Sequence, residues 1–228
     1  MPTPPWVRLK GCVILTAMSM ELTFLGTGTS VGIPMIGCHC PVCSSANPRN
    51  IRRRTSLYVK TEKVALVIDT PPDFRQQMLR NPISTLDAVL FTHKHADHVH
   101  GLDDVRVYSD AQGPIDCYAA PETAAKLRMS FSYIFEAGNR IDGIPKLLLH
   151  EIDSPFQLFG RTIVPVPLMH GKERILGYRI GNFAYLTDCS GVPDESLDLL
   201  GGLEILVIDG LRFRPHPHPR PHPPPRRF

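Results

Sequence analysis

The chain is 228 residues long, 43% of them are hydrophobic, and its mean hydropathy is −0.07. This length suffices for one large domain with its own core, and because no run of about 18 apolar residues occurs, no membrane span is expected. The formal net charge of +3 arises from residues 211–228, which hold five Arg and no acid. The rest of the chain is net negative, so nucleic-acid binding is not expected of it.

Residues 1–19 are predicted to be an N-terminal extension that need not be native. The apolar run at residues 12–15 is too short for the hydrophobic core of a secretory signal. Met18 or Met20 serves equally well as a start, because the first strand pattern begins at Glu21. A cytoplasmic protein is therefore expected.

Residues 20–213 are predicted to be one domain of strands with interspersed helices. Runs rich in Val, Ile, Leu, Phe and Tyr, bounded by Gly, Pro, Asp or Asn, predict strands at residues 22–25, 56–59, 64–68, 88–91, 115–119, 147–152, 162–166, 176–180, 183–187 and 205–208. Helices are predicted at residues 73–80, 101–110, 121–131 and 193–200. Gly181 and Asn182 form a hairpin-turn pattern between two strands. The fold class is α/β, and this pattern favours a layered sandwich.

Three of the six cysteines, Cys38, Cys40 and Cys43, crowd into one short segment. These cysteines lie in two adjacent short turns, and their number is odd. Such an arrangement suits thiolate ligation of a metal better than a disulfide framework, particularly in a reducing compartment. Cys117 lies in an alternating strand pattern and is predicted to be a small buried hydrophobe.

Four potential metal ligands directly follow the apolar run at residues 88–91. They form the pattern His-x-His-x-Asp-His at His93, His95, Asp97 and His98. Because alternate residues at a strand end point to the same side, His93 and His95 can hold one ion together, whereas Asp97 and His98 lie past the turn and can face a second. The alternative is a solvated His-rich loop, but this spacing after a buried-looking strand favours a metal site.

Later strand ends offer further ligands. His170 can give a third imidazole to the first ion, and Asp188 offers a carboxylate able to bridge two ions. Each of them alone also has a structural interpretation, as a strand-end His or a turn-capping Asp. Asp209 at the end of the last strand is a weaker candidate, as a ligand or as a residue that orients one. Two divalent ions about 3.5–4 Å apart can hold a hydroxide at neutral pH and neutralise charge on a phosphoryl oxygen.

The C-terminal residues 214–228 break the pattern of the domain. Seven of the 23 prolines lie there, interleaved with His and Arg. Neither a helix nor a central strand tolerates this spacing, so a polyproline-like or disordered tail is predicted.

The ligand order His-x-His-x-Asp-His, His, Asp resembles that of the metallo-β-lactamase superfamily, whose members are mostly metal-dependent hydrolases. Further stretches resemble one branch, the cyclic phosphodiesterases of the carbon–phosphorus lyase pathway and their relatives. These stretches lie at residues 24–30, 37–43, 54–56, 68–74 and 98–106, and the likeness covers roughly residues 20–214. The Cys-x-Cys-x-x-Cys insert discriminates this branch better than the shared His motif does.

The resemblance implies an αββα sandwich with two divalent ions, zinc or manganese, at one edge between the sheets. It implies the metal ligands His93, His95, Asp97, His98, His170 and Asp188, of which Asp97, His98 and Asp188 are also assigned to catalysis. Asp69 would support a ligand His through a hydrogen bond. Cys38, Cys40 and Cys43 would hold one structural zinc together with a His. The implied activity is hydrolysis of a cyclic phosphate ester, such as a 1,2-cyclic ribosyl phosphate or a 2′,3′-cyclic nucleotide.

The chain departs from this branch at its C-terminal end. Relatives continue with a helix and a strand that end in Thr-His-x-x-His, and these two His complete the second catalytic ion and the structural zinc. Here Pro-His-Pro repeats stand instead, so we expect an altered or truncated end without the last helix and strand, and reduced catalytic competence. His216, His218 or His222 could substitute, although a Pro-rich tail pre-organises a ligand poorly.

Three other functions remain alternatives. One is an inactive, truncated zinc-binding protein. A second is a tRNA-processing endonuclease of the same superfamily, but no flexible basic arm is found between the strands. The third is a thioester hydrolase, which would share the His cluster but not the triple-Cys insert. The expected partner is a small phosphate ester, with no membrane and no nucleic acid, and a homodimer is left open.

Overall fold

The computed structural model describes residues 6–9, 12–17, 20–136 and 143–210. The chain divides into two compact units, unit 1 reaching to Glu151 and unit 2 starting at Ile152. The tail predicted at residues 214–228 lies outside the described residues. Within the described ranges, no helix is both long and apolar enough to cross a bilayer.

Unit 1 contains an eight-stranded sheet whose strands follow one another in chain order. The strands are β1 (Trp6–Leu9), β2 (Cys12–Ala17), β3 (Met20–Gly26), β4 (Ser56–Thr61), β5 (Ala65–Ile68), β6 (Ala88–Leu90), β7 (Ile115–Ala119) and β8 (Leu147–Glu151). Neighbours from β1 to β5 pair antiparallel, and those from β5 to β8 pair parallel. The sequence patterns did not predict β1 and β2, which add a hairpin to the edge of the sheet formed by β3.

The helices of unit 1 are α1 (Phe74–Arg80), α2 (Ala96–Val99), α3 (Arg106–Gln112), α4 (Pro121–Ser130) and α5 (Ser132–Phe135). The helix predicted at residues 101–110 is a 3₁₀ turn, Leu102–Val105, followed by α3. Pro121 occupies the first turn of α4, where its lack of an N–H costs little.

The helices of unit 1 share one buried apolar cluster with the sheet. Phe74 of α1, Leu102 and Phe91 are completely buried in it. Complete burial of one such side chain stabilises the fold by roughly 1.5–3 kcal/mol. Cys117 also lies in this cluster with no exposed surface, so its predicted role as a buried hydrophobe is confirmed.

Unit 2 contains a five-stranded sheet in the order β13-β12-β11-β10-β9. Its strands are β9 (Phe156–Leu158), β10 (Arg161–His170), β11 (Glu173–Ile180), β12 (Phe183–Leu186) and β13 (Ile205–Ile208), and it also has helix α6 (Asp194–Leu197) and a 3₁₀ turn at Asp198–Leu200. Within the five strands described for this sheet, the β12–β13 pair is parallel and the other pairs are antiparallel. Gly181 has a φ of +61° in the predicted hairpin turn between β11 and β12.

Strand direction brings several loops of unit 1 to one end of its sheet. Gly26 at the end of β3 pairs with Ser56 at the start of β4, while Ile68 at the end of β5 pairs with Leu90 at the end of β6. The segments that follow β3, β5 and β6 therefore emerge at the same end of the sheet, and the His motif is one of them.

Candidate metal centre

Asp69, the residue directly after β5, connects several segments at this end of the sheet through its side chain. Its carboxylate is fully buried, and Oδ1 accepts a hydrogen bond from the Thr92 backbone N–H at 2.8 Å. Oδ2 lies 2.7 Å from Thr92 Oγ1 and 2.7 Å from His98 Nδ1. The contact with His98 is the one that the expected role of Asp69 requires, because it fixes the ring and leaves Nε2 as the nitrogen available to a ligand.

Thr92 connects this carboxylate to the first His of the motif. Its hydroxyl donates to Asp69, so it accepts at 2.9 Å from Nδ1–H of His93. That tautomer places a lone pair on His93 Nε2, which faces His95 Nδ1 at 3.0 Å. Nitrogens bound to one tetrahedral zinc at about 2.0–2.1 Å lie about 3.3 Å apart, so the spacing of the two rings fits a shared ion.

Asp97 and His98 lie on the short helix α2, past the turn that begins at His95. His98 Nε2 is 3.5 Å from Asp97 Oδ2. Burial raises the pKa of the Asp97 carboxyl, but the neighbouring His98, when protonated, outweighs burial and lowers that pKa to about 2. Asp97 is therefore an anion at neutral pH, as a cation ligand must be.

Backbone hydrogen bonds fasten the His segment to the loop after β5. The Thr70 N–H donates to His98 O at 2.8 Å, and the Gly101 N–H donates to Thr70 O at 2.8 Å. A Cβ at Gly101 would lie 2.1 Å from Pro71 O, so only glycine allows this approach. The loops that carry Asp69 and His98 are thereby held in one arrangement.

Unit 2 carries the other two predicted ligands on neighbouring segments. His170 is the last residue of β10, and Asp188 follows β12. The turn after Asp188 folds back on β10, where the Met169 N–H donates to Gly191 O at 2.9 Å and the Ser190 N–H donates to Met169 O at 2.6 Å. The complete ligand set draws on both units, and it stays a prediction of the motif.

Both Asp69 and Asp188 have positive φ, at +64° and +55°. Among the described residues only one other non-glycine residue, Phe159, shares this conformation. Such conformations cost on the order of 1–3 kcal/mol and concentrate at functional sites. The two strained carboxylates are residues that the sequence had already selected for the site.

Asp209 has a defined neighbourhood in unit 2. Its Oδ1 accepts a hydrogen bond from the Cys189 thiol at 3.1 Å, and its backbone N–H donates to Leu186 O at 3.1 Å. Desolvation and the charge of Asp188 raise the pKa of the Asp209 carboxyl despite the opposing bond from Cys189. Burial and the Asp209 charge likewise raise the pKa of the Cys189 thiol. Asp209 therefore fixes the side chain of Cys189, the residue that follows Asp188.

Cys38, Cys40 and Cys43 form a second group, with their sulfur atoms within 4.8 Å of one another. Backbone N–H groups point at the sulfurs, from Cys43 to Cys40 Sγ at 3.5 Å and from Met35 to Cys43 Sγ at 3.4 Å. The bond from the Cys43 N–H, followed by that from the Cys38 thiol, lowers the pKa of Cys40 to about 7. The donor set suits zinc, which binds thiolates.

The sequence patterns gave no role to Thr92, and they did not pair Arg54 with Asp73. Asp73 accepts from the Arg54 backbone N–H at 2.9 Å and from its guanidinium at 2.8 Å, and the guanidinium also donates to Ser30 O at 2.7 Å. These bonds tie the loop after β3 to the start of α1. In the sequence, Thr92 can be recognised as a hydroxyl residue directly before the His motif. Arg54 is one of three consecutive Arg, and nothing in the sequence distinguishes it from the other two.

Comparison with known proteins gives the family and the fold of the chain. A family model described as a beta-lactamase superfamily domain matches residues 65–226. A crystal structure of a diphosphatase from the PhnP family is 44% identical, covers 87% of this chain and 77% of its own, and superposes with a TM-score of 0.79.

Two further relatives differ more in length or identity. An octanoyltransferase of Porphyromonas gingivalis is 43% identical over 87% of this chain, and the chain spans 41% of that protein's length. The Zn²⁺-bound PqqB of Methylobacterium extorquens is 22% identical, covers 83% of this chain and 72% of its own, and superposes with a TM-score of 0.66. At 22% identity, the likeness to the PqqB structure supports only the assignment of the fold.

Proposed function

The chain belongs to the metallo-β-lactamase superfamily and has its fold, and from this premise we propose that it is a metal-dependent hydrolase of phosphodiesters. The substrates we propose are cyclic phosphate esters, such as 1,2-cyclic ribosyl phosphate or 2′,3′-cyclic nucleotides. Support for phosphorus chemistry comes from the diphosphatase relative at 44% identity. Support for a metal site comes from unit 1 itself.

The observation that carries the proposal is the orientation of the ring nitrogens in unit 1. His93 and His98 are 2% and 1% exposed, and each offers Nδ1 to a fixed oxygen, of Thr92 and Asp69 respectively. Their Nε2 atoms are therefore turned toward His95 and Asp97. Two buried imidazoles whose Nδ1 atoms are fixed and whose Nε2 atoms face further ligand groups fit neutral His ligands of a divalent ion.

The remaining ligands are proposed from the order of the motif. His93, His95 and His170 would hold one ion, and Asp97 and His98 a second, with Asp188 shared by both. The three thiols Cys38, Cys40 and Cys43 would hold a structural zinc. The metals of the catalytic pair would be zinc or manganese, since imidazole and carboxylate suit both.

Divalent ions in such a site would supply a nucleophile from water at neutral pH and neutralise charge on the phosphoryl oxygens. The protein's own groups would position them. Asp69 holds His98 through Nδ1 and Thr92 holds His93, so both rings keep their orientation during turnover. Asp97, ionised at neutral pH, would contribute negative charge that helps to retain the cation.

The proposal is tested by assaying the purified chain, loaded with zinc or with manganese, against 2′,3′-cyclic AMP and bis-p-nitrophenyl phosphate. We expect metal-dependent turnover of both esters, at a rate that the altered C-terminal end reduces. Two catalytic ions per chain with brisk turnover would refute the expected loss of competence. Turnover of a thioester or of precursor tRNA in place of these esters would favour the corresponding alternative from the sequence. Bound zinc with no turnover of any of these substrates would favour the non-enzymatic alternative and overturn the proposal.

A further inference from the structure

Four side chains form a cluster just beyond the His motif in unit 1. The ring of His100 meets Phe131 edge-on with centroids 5.8 Å apart, and the rings of Phe131 and Tyr133 lie 6.4 Å apart. The Tyr133 hydroxyl donates to Asp103 Oδ1 at 2.9 Å. These residues, His100, Asp103, Phe131 and Tyr133, are called the aromatic cluster below.

The aromatic cluster is attached directly to the ligand segment. The His100 N–H donates to Ala96 O at 3.1 Å, so His100 closes the helix α2 that carries Asp97 and His98. The next residue, Gly101, is bonded to Thr70 O beside Asp69. His100 lies two residues after His98, so the aromatic cluster begins directly beside the segment that carries the proposed ligands.

The aromatic cluster combines three exposed side chains with one buried ring. Phe131 is buried, whereas His100, Asp103 and Tyr133 are exposed. Tyr133 keeps 40% of its surface accessible, although its hydroxyl is held by Asp103. The structure thus presents two ring faces and an oriented carboxylate side by side, next to a candidate metal centre.

We propose that the aromatic cluster binds the nucleoside part of a cyclic nucleotide substrate. Tyr133 and His100 would stack on the base, a contact available to every base because each has a π-face. Asp103 would accept a hydrogen bond from a hydroxyl or amino group of the nucleoside, as carboxylates do in nucleotide sites. This inference rests on the proposed phosphodiesterase function and deepens it to the recognition of a nucleoside.

The test compares two substrates that share the five-membered cyclic phosphate. One is 2′,3′-cyclic AMP, and the other is glycerol 1,2-cyclic phosphate, which lacks the ribose ring and the base; ³¹P NMR follows both. Asp103→Asn and Tyr133→Ala are each expected to raise KM for 2′,3′-cyclic AMP about tenfold, the loss of one charged hydrogen bond or one stacked base. For the glycerol ester, kcat and KM should stay within about twofold.

Asp110→Asn is the matched control, because Asp110 is an exposed carboxylate on α3 whose nearest cation is Lys146 at 3.8 Å. It should leave both substrates unaffected, and melting temperature and metal content are measured for every variant. Equal effects on both esters, no effect on either, or a wild type that turns over the glycerol ester as well as the nucleotide would each overturn the inference. A wild type that hydrolyses neither ester nor bis-p-nitrophenyl phosphate would instead overturn the proposed function.

Discussion

The two candidate metal sites of unit 1 are held in place in opposite ways. At the His site, buried side chains are fixed by other side chains: Asp69 holds His98, and Thr92 holds His93. At the Cys site, Cys40 is exposed and its sulfur is contacted by N–H groups of its own short loop. The first geometry is set by the folded core of the unit, and the second depends largely on the metal that it would bind.

This difference has an energetic consequence. A pre-organised site loses little conformational entropy when an ion arrives, so its ligands are suited to holding a substrate and an ion in register. In a loop site, much of the binding free energy of the metal is spent on ordering the loop, and the metal then stabilises the fold. Changes at the two sites should therefore affect different measurements.

The largest effect is expected from His93→Ala. It removes an imidazole that is 2% exposed and leaves the opposing His95 nitrogen without its partner. Because even residues that only support a ligand contribute about 10–100-fold, loss of a ligand should lower phosphodiesterase turnover by more than about 100-fold. Initial rates with 2′,3′-cyclic AMP and metal per chain by mass spectrometry provide the measurement. Unchanged turnover would contradict the site assignment.

The next effect is expected from Asp69→Asn, which keeps the shape of the side chain but removes its charge. It should weaken metal affinity and turnover about 10–100-fold, because His98 loses the carboxylate that fixes its ring. Competition with a chelator measures the affinity.

Asp87→Asn is the matched control for Asp69→Asn. Asp87 also accepts a backbone N–H, from Ala65 at 2.7 Å, but it lies at the opposite end of the strands. If both variants lowered metal affinity equally, the special role of Asp69 would be refuted.

A smaller and different effect is expected from Cys40→Ser. Loss of one thiolate should lower the melting temperature by roughly 2–4 °C for each kcal/mol of metal-derived stability lost, while turnover per folded molecule stays within about twofold. Calorimetry and activity on the same sample separate the two quantities. Ser44→Ala in the same loop is the control, and a Cys40→Ser variant that lost turnover without losing stability would reverse the comparison.

The smallest effect concerns thiol reactivity in protein treated with a chelator. Cys40, with its pKa lowered to about 7, should be alkylated by iodoacetamide within minutes at neutral pH. Cys117 is completely buried and its pKa is raised by burial, so it should react only after unfolding. Mass spectrometry of peptides gives the order, and early labelling of Cys117 would show that unit 1 opens more readily than its packing indicates.

The spacing of the His motif can be read directly from the sequence, whereas part of the strand pattern cannot. Spacing after an apolar run located His93, His95, Asp97 and His98, because ligand geometry depends on local alternation. The sequence did not show that Thr92 connects Asp69 with His93. These hydrogen bonds depend on β5 and β6 being neighbours in the sheet, and strand order is not visible in the sequence. The hairpin β1–β2 was also not predicted, because a short apolar run such as residues 12–15 does not by itself distinguish a strand from other apolar segments.

Strand β10 shows why one boundary was wrong. The pattern predicted a strand ending at residue 166, whereas β10 runs on through Pro167 to His170. Proline lacks an N–H and is tolerated where one side of a strand is not paired. The neighbouring β9 pairs only with residues 161–163 of β10, so both Pro165 and Pro167 lie beyond it. Sequence alone does not reveal how short the neighbouring strand is.

The cysteine segment begins and ends at one place. Ile33 and Arg52 exchange two backbone hydrogen bonds of 2.8 Å, and the Gly28 N–H donates to Arg53 O at 2.7 Å. A Cβ at Gly28 would lie 2.5 Å from Arg52 O, so this stem stays narrow. Residues 34–51 therefore leave and rejoin the fold at one narrow stem, and a two-residue turn between Ile33 and Arg52 could replace them without separating the backbone segments that the stem pairs.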